Sequence, residues 1–536
     1  MSKILFTNGK IWTADEAVPN AENMLVEDGK IAWIGNDLSA CDTTADETID
    51  LKGARVVPGL IDSHMHPLML AEAAEKIACL PPEIMSIADL IPKIRQVREE
   101  KGPDCWIQGW GYDESKLAEG RLITKYDLDQ GASDVPVVMV RSCVHIYSVN
   151  SKMLEMAGIT KDTPDPMGGI IERDENGEPN GILKEAARNL VMDMLPVSDV
   201  EKTSDRIVSL GKKLATLGIT SIDDSMSKYV PEDSGIYYEE AAKKGLKTKI
   251  AQYYNWFQTE EKLKNGTLPA DLKERYDKSK IHFQAGIKIL CDGSISGRTA
   301  WMDRPYKDEP DNYGLCSVKK EDLINAADYA MKEGIQLQLH AMGTRTVDMI
   351  IDTLKDYPKW TKDCPHIRIE HVTEPSAWAI KTAAEKGIAF TTQPVFLFSE
   401  IENYSKYIGE KYLPQLYPFR SIMDGGVTLA FGSDAPATAW AEPADPFIGM
   451  YFAVTRKSWD GTDCSRKEVI TVEEALKAYT CNAAYILGLG EKGRLAKGFD
   501  ADFVVLDKDI LSIDPEDIRN TRPAATYIGG QCVYEA

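Results

Sequence analysis

The chain has 536 residues, and 62 Lys and Arg against 84 Asp and Glu give it a formal net charge of −22. A protein that binds nucleic acid or an anionic membrane needs a basic patch, so this charge argues against both partners. With 43% hydrophobic and 27% charged residues, the chain can bury a large core and should form roughly two to four domains.

The start of the sequence lacks the charge and apolar run of a targeting peptide, and no apolar run reaches the ~18 residues of a membrane span. The ten cysteines are spaced singly, without a CxxC pair. We therefore expect a cytoplasmic protein with reduced cysteines.

Both ends of the chain have the pattern of short β-strands joined by tight turns. Asn8–Gly9, Asp28–Gly29 and Gly529–Gly530 each separate two β-rich runs, which predicts three hairpins. Neither end has enough strands for a core of its own. We therefore predict that residues 1–57 and 486–536 combine in one composite β-sandwich.

The middle of the chain alternates short apolar runs with helical patterns, which indicates βα units around a parallel sheet. About eight such strands would close a distorted (β/α)8 TIM barrel, an α/β fold built from residues 58–75 and 200–485. The predicted barrel strands are 56–61, 219–222, 249–253, 284–290, 336–339, 367–369, 389–391 and 428–431.

Residues 76–199 have a different texture, with a helical stretch, β-rich runs and a segment rich in Gly and Pro. A segment of this length is too long for a loop without structure of its own. We predict an inserted α/β subdomain that covers the barrel mouth, because it follows the first barrel strand.

Two histidines follow the first barrel strand, in the sequence IDSHMHP. Side chains two residues apart on a strand project to the same side, so His64 and His66 can reach one metal ion. A pair of surface histidines in a loop is the alternative.

Three further polar residues each come at the end of a predicted strand, where a barrel gathers its catalytic groups. They are His340, His371 and Asp434. Taken singly, a hydrogen-bonded core histidine or a helix-capping aspartate explains each of them. Together with the two earlier histidines they favour a metal centre, because buried polar groups are costly unless they are paired or coordinated.

Lys288 lies in the apolar run AGIKILCDGS, where a cationic amine is costly to bury. An ion-paired or snorkelling lysine is one explanation. Beside a metal centre, a neutral amine can instead be converted to a carbamate, an anion able to bridge two cations.

These segments resemble the amidohydrolase superfamily, specifically amidohydrolase family 3, the YtcJ-like metal-dependent hydrolases, a branch that includes N-substituted formamide deformylase. The resemblance is carried by VVPGLIDSHMHP, GIKILCDGSISGRTA, LQLHAMG, RIEHV and FGSDAP, which fall in the family's order. It extends over essentially the whole chain.

The resemblance implies one or two divalent ions per chain, expected to be zinc. Carboxylated Lys288 would bridge them, and Asp434 would be both a ligand and the general base. The implied metal ligands are His64, His66, Lys288, His340, His371 and Asp434. We expect Glu370, the neighbour of His371, to point to the opposite face of its strand.

The expected reaction is hydrolysis of an amide or formamide C–N bond of a small molecule, with Asp434 moving the proton from water to the departing nitrogen. A homodimer is the candidate assembly. Two alternatives stay open. A hydrolytic deaminase of an amino-substituted heterocycle would use similar chemistry and would not need Lys288. A scaffold that keeps the fold without catalysis would be expected to lose ligands.

Four residues are candidates for substrate contacts, and each has a structural alternative. His145 could hydrogen-bond the substrate carbonyl or a backbone group, and Arg298 could bind an acidic group or form an ion pair. Trp110 and Tyr112 could line the pocket or pack in a core.

Overall fold

The computed structural model describes residues 3–41, 44–73, 75–114, 116–142, 146–166, 169–192, 194–195, 199–229 and 232–536, with the backbone alone at 185 and 186. The strands, in chain order, are β1 (Lys3–Thr7), β2 (Lys10–Trp12), β3 (Asn20–Ala21), β4 (Asn23–Glu27), β5 (Lys30–Gly35), β6 (Glu47–Asp50), β7 (Arg55–Pro58), β8 (Leu60–Asp62), β9 (Ile77–Ala78), β10 (Ile107–Tyr112), β11 (Val137–Arg141), β12 (Ile146–Val149), β13 (Gly169–Arg173), β14 (Pro179–Glu185), β15 (Ile219–Ser227), β16 (Lys249–Asn255), β17 (His282–Leu290), β18 (Gln336–Ala341), β19 (Ile367–His371), β20 (Ala389–Thr392), β21 (Leu429–Phe431), β22 (Phe503–Leu506), β23 (Pro523–Ile528) and β24 (Gln531–Glu535).

The α-helices, in the same order, are α1 (Pro67–Ala73), α2 (Ile87–Lys101), α3 (Lys125–Leu128), α4 (Ser151–Met156), α5 (Asn189–Met192), α6 (Val200–Thr216), α7 (Ser234–Lys243), α8 (Trp256–Lys264), α9 (Leu272–Arg275), α10 (Lys320–Glu333), α11 (Thr344–Leu354), α12 (Ala377–Lys386), α13 (Pro394–Ser399), α14 (Ile401–Tyr404), α15 (Phe419–Asp424), α16 (Pro446–Thr455), α17 (Val472–Ala478) and α18 (Cys481–Leu487). No helix among the described residues is both long and apolar enough to cross a bilayer.

The chain forms two compact units. The first comprises Met1–Pro67, Ile207–Ala435 and Ala444–Ala536, and the second comprises Leu68–Arg206 and Pro436–Pro443. These limits differ in detail from the predicted domain boundaries, which stay predictions.

The first unit contains the predicted barrel. Its strands follow the order β8, β15, β16, β17, β18, β19, β20 and β21, and every paired strand runs parallel to its neighbour. The sheet nearly closes, because the N–H of Ser63, directly after β8, donates to the carbonyl of Phe431 at the end of β21 (3.2 Å). The predicted distorted TIM barrel is therefore confirmed.

The run 56–61, predicted as a single barrel strand, is divided between two sheets. β7 pairs with β2 and β22 outside the barrel, whereas β8 pairs with β15 inside it. Gly59 separates them at a point where a Cβ atom would lie 2.4 Å from Thr220 Oγ1. The close approach of that hydroxyl explains why glycine stands there.

The termini combine as predicted in a composite β-sandwich of two further sheets. One has the order β5–β4–β1–β6 and the other β24–β23–β22–β7–β2–β3, so strands from both ends of the chain are neighbours. Phe6 lies edge-on to Phe503 with ring centroids 5.0 Å apart, and Phe503 stacks on Tyr527 at 4.4 Å. These rings join the two sheets in one hydrophobic core.

Two of the three predicted hairpins form. Asp28–Gly29 joins the antiparallel pair β4 and β5, and Gly529–Gly530 joins β23 and β24, all four residues with positive φ. The hairpin predicted at Asn8–Gly9 is wrong, because β1 pairs with β4 and β6 whereas β2 pairs with β3 and β7. Asn8 has the positive φ of a tight turn, but the chain there passes from one sheet to the other.

The second unit contains the predicted α/β insertion. Its mixed sheet has the order β13–β14–β12–β11–β10–β9. Helix α2 begins at Ser86, whose hydroxyl accepts a hydrogen bond from the Asp89 N–H (3.1 Å), and it buries Ile87, Leu90 and Ile94 at helical spacing. A hydrophobic core of its own makes this insertion a folded subdomain.

Candidate functional site

The predicted metal ligands meet at one end of the barrel. His340 lies in β18, His371 ends β19, and Lys288 lies in β17 near its carboxyl end. Asp434 comes shortly after β21, and the segment 64–66 follows β8. The structure therefore gathers all six residues where a TIM barrel collects its reactive side chains.

His64, His66 and Asp434 form a tight cluster. Asp434 Oδ1 lies 3.0 Å from His66 Nε2 and 3.4 Å from His64 Nε2. The potential ligand atoms of the three side chains lie within 4.8 Å of one another. Buried Asp434 Oδ1 has no partner with hydrogen-bonding geometry among the described residues. Two imidazole nitrogens and a carboxylate oxygen that converge in this way fit a zinc ion.

Backbone hydrogen bonds hold this cluster together at the barrel seam, where the first and last barrel strands, β8 and β21, meet. The N–H of Asp434 donates to the carbonyl of His64 (2.7 Å), and Asp434 adopts a left-handed φ of 56°. Asp62 Oδ1 accepts from the backbone N–H groups of His64 (3.1 Å) and Ser433 (3.0 Å). Buried Asp62 thus fixes both segments that carry the ligands.

His371 and His340 continue the cluster on the other side of His64. The ring centroid of His371 lies 4.4 Å from that of His340 and 4.8 Å from that of His64. His371 also stacks on Phe396, with centroids 5.8 Å apart. The imidazoles therefore form a continuous group that could hold a second ion.

Each of these three rings has one nitrogen engaged by a neighbouring group. His64 Nδ1 contacts Glu370 Oε2, and His371 Nδ1 donates to Gln393 Oε1 (2.8 Å). His340 Nε2 donates to the carbonyl of Gly293 (3.0 Å). Such partners fix the tautomer and leave the opposite nitrogen with a lone pair, as a metal ligand requires.

The prediction that Glu370 points away from the site is wrong. Its carboxylate contacts His64 and accepts a hydrogen bond from Arg368 Nε (2.6 Å). Arg368 and Glu370, two residues apart, both face the barrel interior as strand alternation requires. His371 joins them because the backbone leaves the extended conformation, with φ of 73° at His371 and 44° at Val372.

Lys288 is buried beside the histidines, with only 1% of its surface exposed. Its Nζ has no hydrogen-bond partner within the part of the chain that the structure describes. Burial lowers the pKa of this amine, although the charges of Glu370, Asp223 and Asp434 oppose the shift. A buried amine without a partner is the form that can react with CO₂.

The protonation states at the site suit metal binding. Burial lowers the pKa of His64 and of His371, so both imidazoles are neutral near pH 7. A neutral imidazole has the lone pair with which a histidine binds a divalent cation.

The structure does not gather the predicted substrate contacts in the same way. Tyr112 is buried in the core of the second unit, where its hydroxyl shares a hydrogen bond with Ser148 Oγ (2.7 Å). Arg298 is exposed and forms an ion pair with Glu309. Trp110 is half-buried in β10. His145 lies outside the described residues.

Sequence reasoning missed the groups that orient the histidines. Arg368, Gln393 and Asp292 are nearly or fully buried, and Asp292 Oδ1 lies 3.3 Å from His340 Nε2. A signal was present for one of them, since the charged residues of RIEH alternate within an apolar strand. Charges in a buried strand indicate a polar interior that needs them.

Comparison of the whole chain with known proteins identifies its family. A sequence model of the amidohydrolase family matches residues 47–534. The protein YtcJ of Bacillus subtilis (strain 168) is 31% identical, with 99% of each chain covered. N-substituted formamide deformylase of Arthrobacter pascens is 28% identical, with 100% of this chain and 99% of the relative covered.

A solved structure shows the same architecture. It is an uncharacterized metal-dependent hydrolase from Pyrococcus horikoshii OT3, with a TM-score of 0.75 and 25% sequence identity. The similarity covers 96% of this chain and 99% of that chain. The shared fold therefore includes both units.

Proposed function

The chain belongs to the amidohydrolase family, and from this premise we propose that it cleaves an amide or formamide bond of a small molecule with the help of a divalent metal. It is a hydrolase that acts on carbon–nitrogen bonds other than peptide bonds. The observation that carries the proposal is the convergence of two histidines, His64 and His66, on Asp434 Oδ1. This oxygen has no hydrogen-bond partner among the described residues. The deformylase relative, similar over its whole length, supports the substrate class.

The metal ligands divide into two sets in this proposal. His64, His66 and Asp434 would hold the first ion, and His340 and His371 the second. When bound, a divalent cation lowers the pKa of water toward neutrality and polarises a substrate carbonyl. Zinc is the proposed ion because imidazole and carboxylate are its preferred ligands.

Lys288 would bridge the two sets as a carbamate. Its neutral Nζ would attack CO₂ and lose one proton, which forms an N–C bond and a carboxylate. Burial favours the neutral amine that this step needs, and Nζ has no hydrogen-bond partner among the residues that the structure describes.

Asp434 is the proposed general base and acid. Its Oδ1 lies 3.0 Å from His66 Nε2 and 3.4 Å from His64 Nε2, where it could accept a proton from the attacking water. The protonated carboxyl group would then donate that proton to the departing nitrogen as the C–N bond breaks. The same aspartate can serve both steps because it returns to its ionised form after each turnover.

The first test is metal analysis followed by a substrate panel. We expect at least one bound divalent ion per chain and turnover of N-formyl or N-acyl amines by the metal-loaded protein. Turnover of aminopyrimidines alone would identify a deaminase. A correctly folded chain with less than one ion and no turnover would identify a scaffold.

The second test replaces Asp434 by Asn, which keeps the shape and removes the base. We expect kcat on a competent amide to fall by about 10²- to 10⁴-fold while metal is still bound. Retention of wild-type kcat would exclude Asp434 from proton transfer.

The remaining site predictions are extensions of this proposal. Trp110, Tyr112, His145 and Arg298 stay predicted substrate contacts, although the hydrogen bond of Tyr112 and the ion pair of Arg298 favour their structural alternatives. Cytoplasmic location and a homodimer also stay predictions, and sedimentation analysis would test the second.

A further inference from the structure

Arg368 connects four barrel strands beneath the metal site. It is fully buried, and its guanidinium donates to the carbonyl of Ser63 (2.6 Å), to Glu370 Oε1 (2.6 Å) and to the hydroxyl of Tyr253 (3.3 Å). It also lies 3.1 Å from Asp223 Oδ2. These partners come from the end of β8 and from β19, β16 and β15.

The contacts to Ser63 and Glu370 both lead to His64. Ser63 is the residue before His64, so its carbonyl fixes the backbone that carries the ring. Glu370 Oε2 contacts His64 Nδ1, so its carboxylate fixes the orientation and tautomer of the ring. One arginine therefore controls both the position of the His64 backbone and the direction of its Nε2 lone pair.

A buried ion pair contributes little net stability to a barrel interior. Desolvation of the two charges offsets much of their attraction, and well-packed apolar residues usually stabilise a core as well or better. Stability alone therefore gives little reason for Arg368 and Glu370 at this depth. Control of the position and orientation of His64 gives a specific reason for the pair.

We propose that Arg368 and Glu370 form a positioning unit that presets His64 for the first metal ion. Neither residue is proposed to touch substrate or metal. The inference rests on the proposed function, because it assumes that His64 is a ligand. It adds that affinity for the first ion depends on two residues outside the ligand set.

The structure offers a matched control for the loss of a buried carboxylate. Asp127 is buried in α3, and its carboxylate accepts hydrogen bonds from Arg121 Nη1 (2.7 Å), Arg121 Nη2 (2.8 Å) and the Thr124 hydroxyl (2.7 Å). Like Glu370 it is a buried carboxylate paired with an arginine, but it belongs to the second unit. Asp127→Asn should therefore cost stability while the contacts of His64, Glu370 and Arg368 are kept.

A second control separates the two ions. Gln393 Oε1 accepts from His371 Nδ1 (2.8 Å), and no hydrogen bond among the described residues joins Gln393 to His64. Gln393→Leu should therefore weaken the second ion, whereas Glu370→Gln should weaken the first. A general loss of folding would weaken both.

The experiment is a Co²⁺ titration of metal-free wild type and the variants Glu370→Gln, Arg368→Met, Asp127→Asn and Gln393→Leu, with circular dichroism as the folding check. Absorption of bound Co²⁺ reports its coordination, and competition with a chelator gives the affinity. We expect Glu370→Gln and Arg368→Met to bind the first equivalent about 10- to 100-fold more weakly, with an altered spectrum. Asp127→Asn should match wild type.

The outcomes separate this inference from the function it rests on. Wild type that binds no cation would overturn the proposed function itself. Wild type that binds Co²⁺, with folded Glu370 and Arg368 variants of equal affinity and spectrum, would overturn only the positioning unit. If Arg368→Met fails to fold, Glu370→Gln alone decides, because it keeps the arginine and the side-chain volume.

Discussion

Two buried lysines on neighbouring strands of the barrel have opposite environments. Lys249 begins β16, at the amino end of the barrel, and its Nζ donates to the carbonyls of Lys278 and Lys280. Lys288 lies toward the carboxyl end of β17, and its Nζ has no partner among the described groups. Burial lowers the pKa of both amines, that of Lys249 to about 8.

The difference distinguishes a structural lysine from one available for chemistry. The Lys249 amine replaces its lost water contacts by hydrogen bonds to two backbone carbonyls. These bonds offset the cost of its burial and engage its N–H groups. Lys288 has lost its hydration without such compensation, beside residues that fit a metal. Burial alone therefore does not identify a functional lysine. The role proposed for Lys288 rests in addition on the missing partner of its Nζ among the described residues.

The largest expected effect follows from exchanging each lysine for methionine. Lys288→Met should lower metal affinity by more than about 100-fold and abolish most turnover, because a ligand is lost. Lys249→Met should keep the metal content of wild type. Metal analysis after dialysis checks both variants, and equal metal content in the two would remove the contrast between the lysines.

Carbamate formation gives a second measurement on the same pair. In ¹³C-bicarbonate, wild type and Lys249→Met should each show one labelled carbamate carbon per chain by NMR. Lys288→Met should show none. A signal that persists in Lys288→Met would assign the label to another amine.

A smaller effect concerns stability. Lys249→Met leaves the carbonyls of Lys278 and Lys280 without their donor, which should lower the free energy of unfolding by about 1–3 kcal/mol. Chemical denaturation at pH 7 measures this change. An unchanged unfolding free energy would mean that water replaces the amine at no cost.

The last effect is the pH dependence of that difference in unfolding free energy. Because the folded-state pKa of Lys249, about 8, lies below its unfolded value near 10.5, the unfolded chain binds more protons between these limits. The wild type should therefore gain stability relative to Lys249→Met as pH rises from 8 to 10.5, by up to about 3 kcal/mol. Solvent at the partly exposed amine reduces this figure. A constant difference across that range would exclude a lowered pKa.

Much of the fold could be predicted from the sequence because its signals are local. The apolar runs at 336–339 and 367–369 fall inside β18 and β19, and the turns at Asp28 and Gly529 have the backbone their residues favour. The failure at Asn8 has a different origin. A turn residue specifies its own φ, but the partner of the following strand depends on the sandwich that both termini build.

The meeting of the histidines and Asp434 could be predicted from strand ends, whereas their supporting contacts could not. Strand alternation from His371 predicts that the Glu370 side chain faces away from the site. The positive φ of His371 interrupts that alternation. Gln393 and Asp292 come from loops and strand ends whose side chains depend on tertiary placement. A single sequence gives no measure of those placements.

The seam of the barrel lies within the site itself. The N–H of Ser433 donates to Asp62 Oδ1 across 371 positions of sequence, and the N–H of His66 donates to the carbonyl of Ala435 (2.8 Å). A cation shared by His64 and Asp434 would cross-link the first and last barrel strands and close a loop of comparable length. Like a disulfide, it would restrict the unfolded chain, and at a free concentration of 1,000 times Kd it would add about 4 kcal/mol. Chelation would then remove the cross-link between β8 and β21. The same side chains would contribute to thermal stability and to the proposed catalysis.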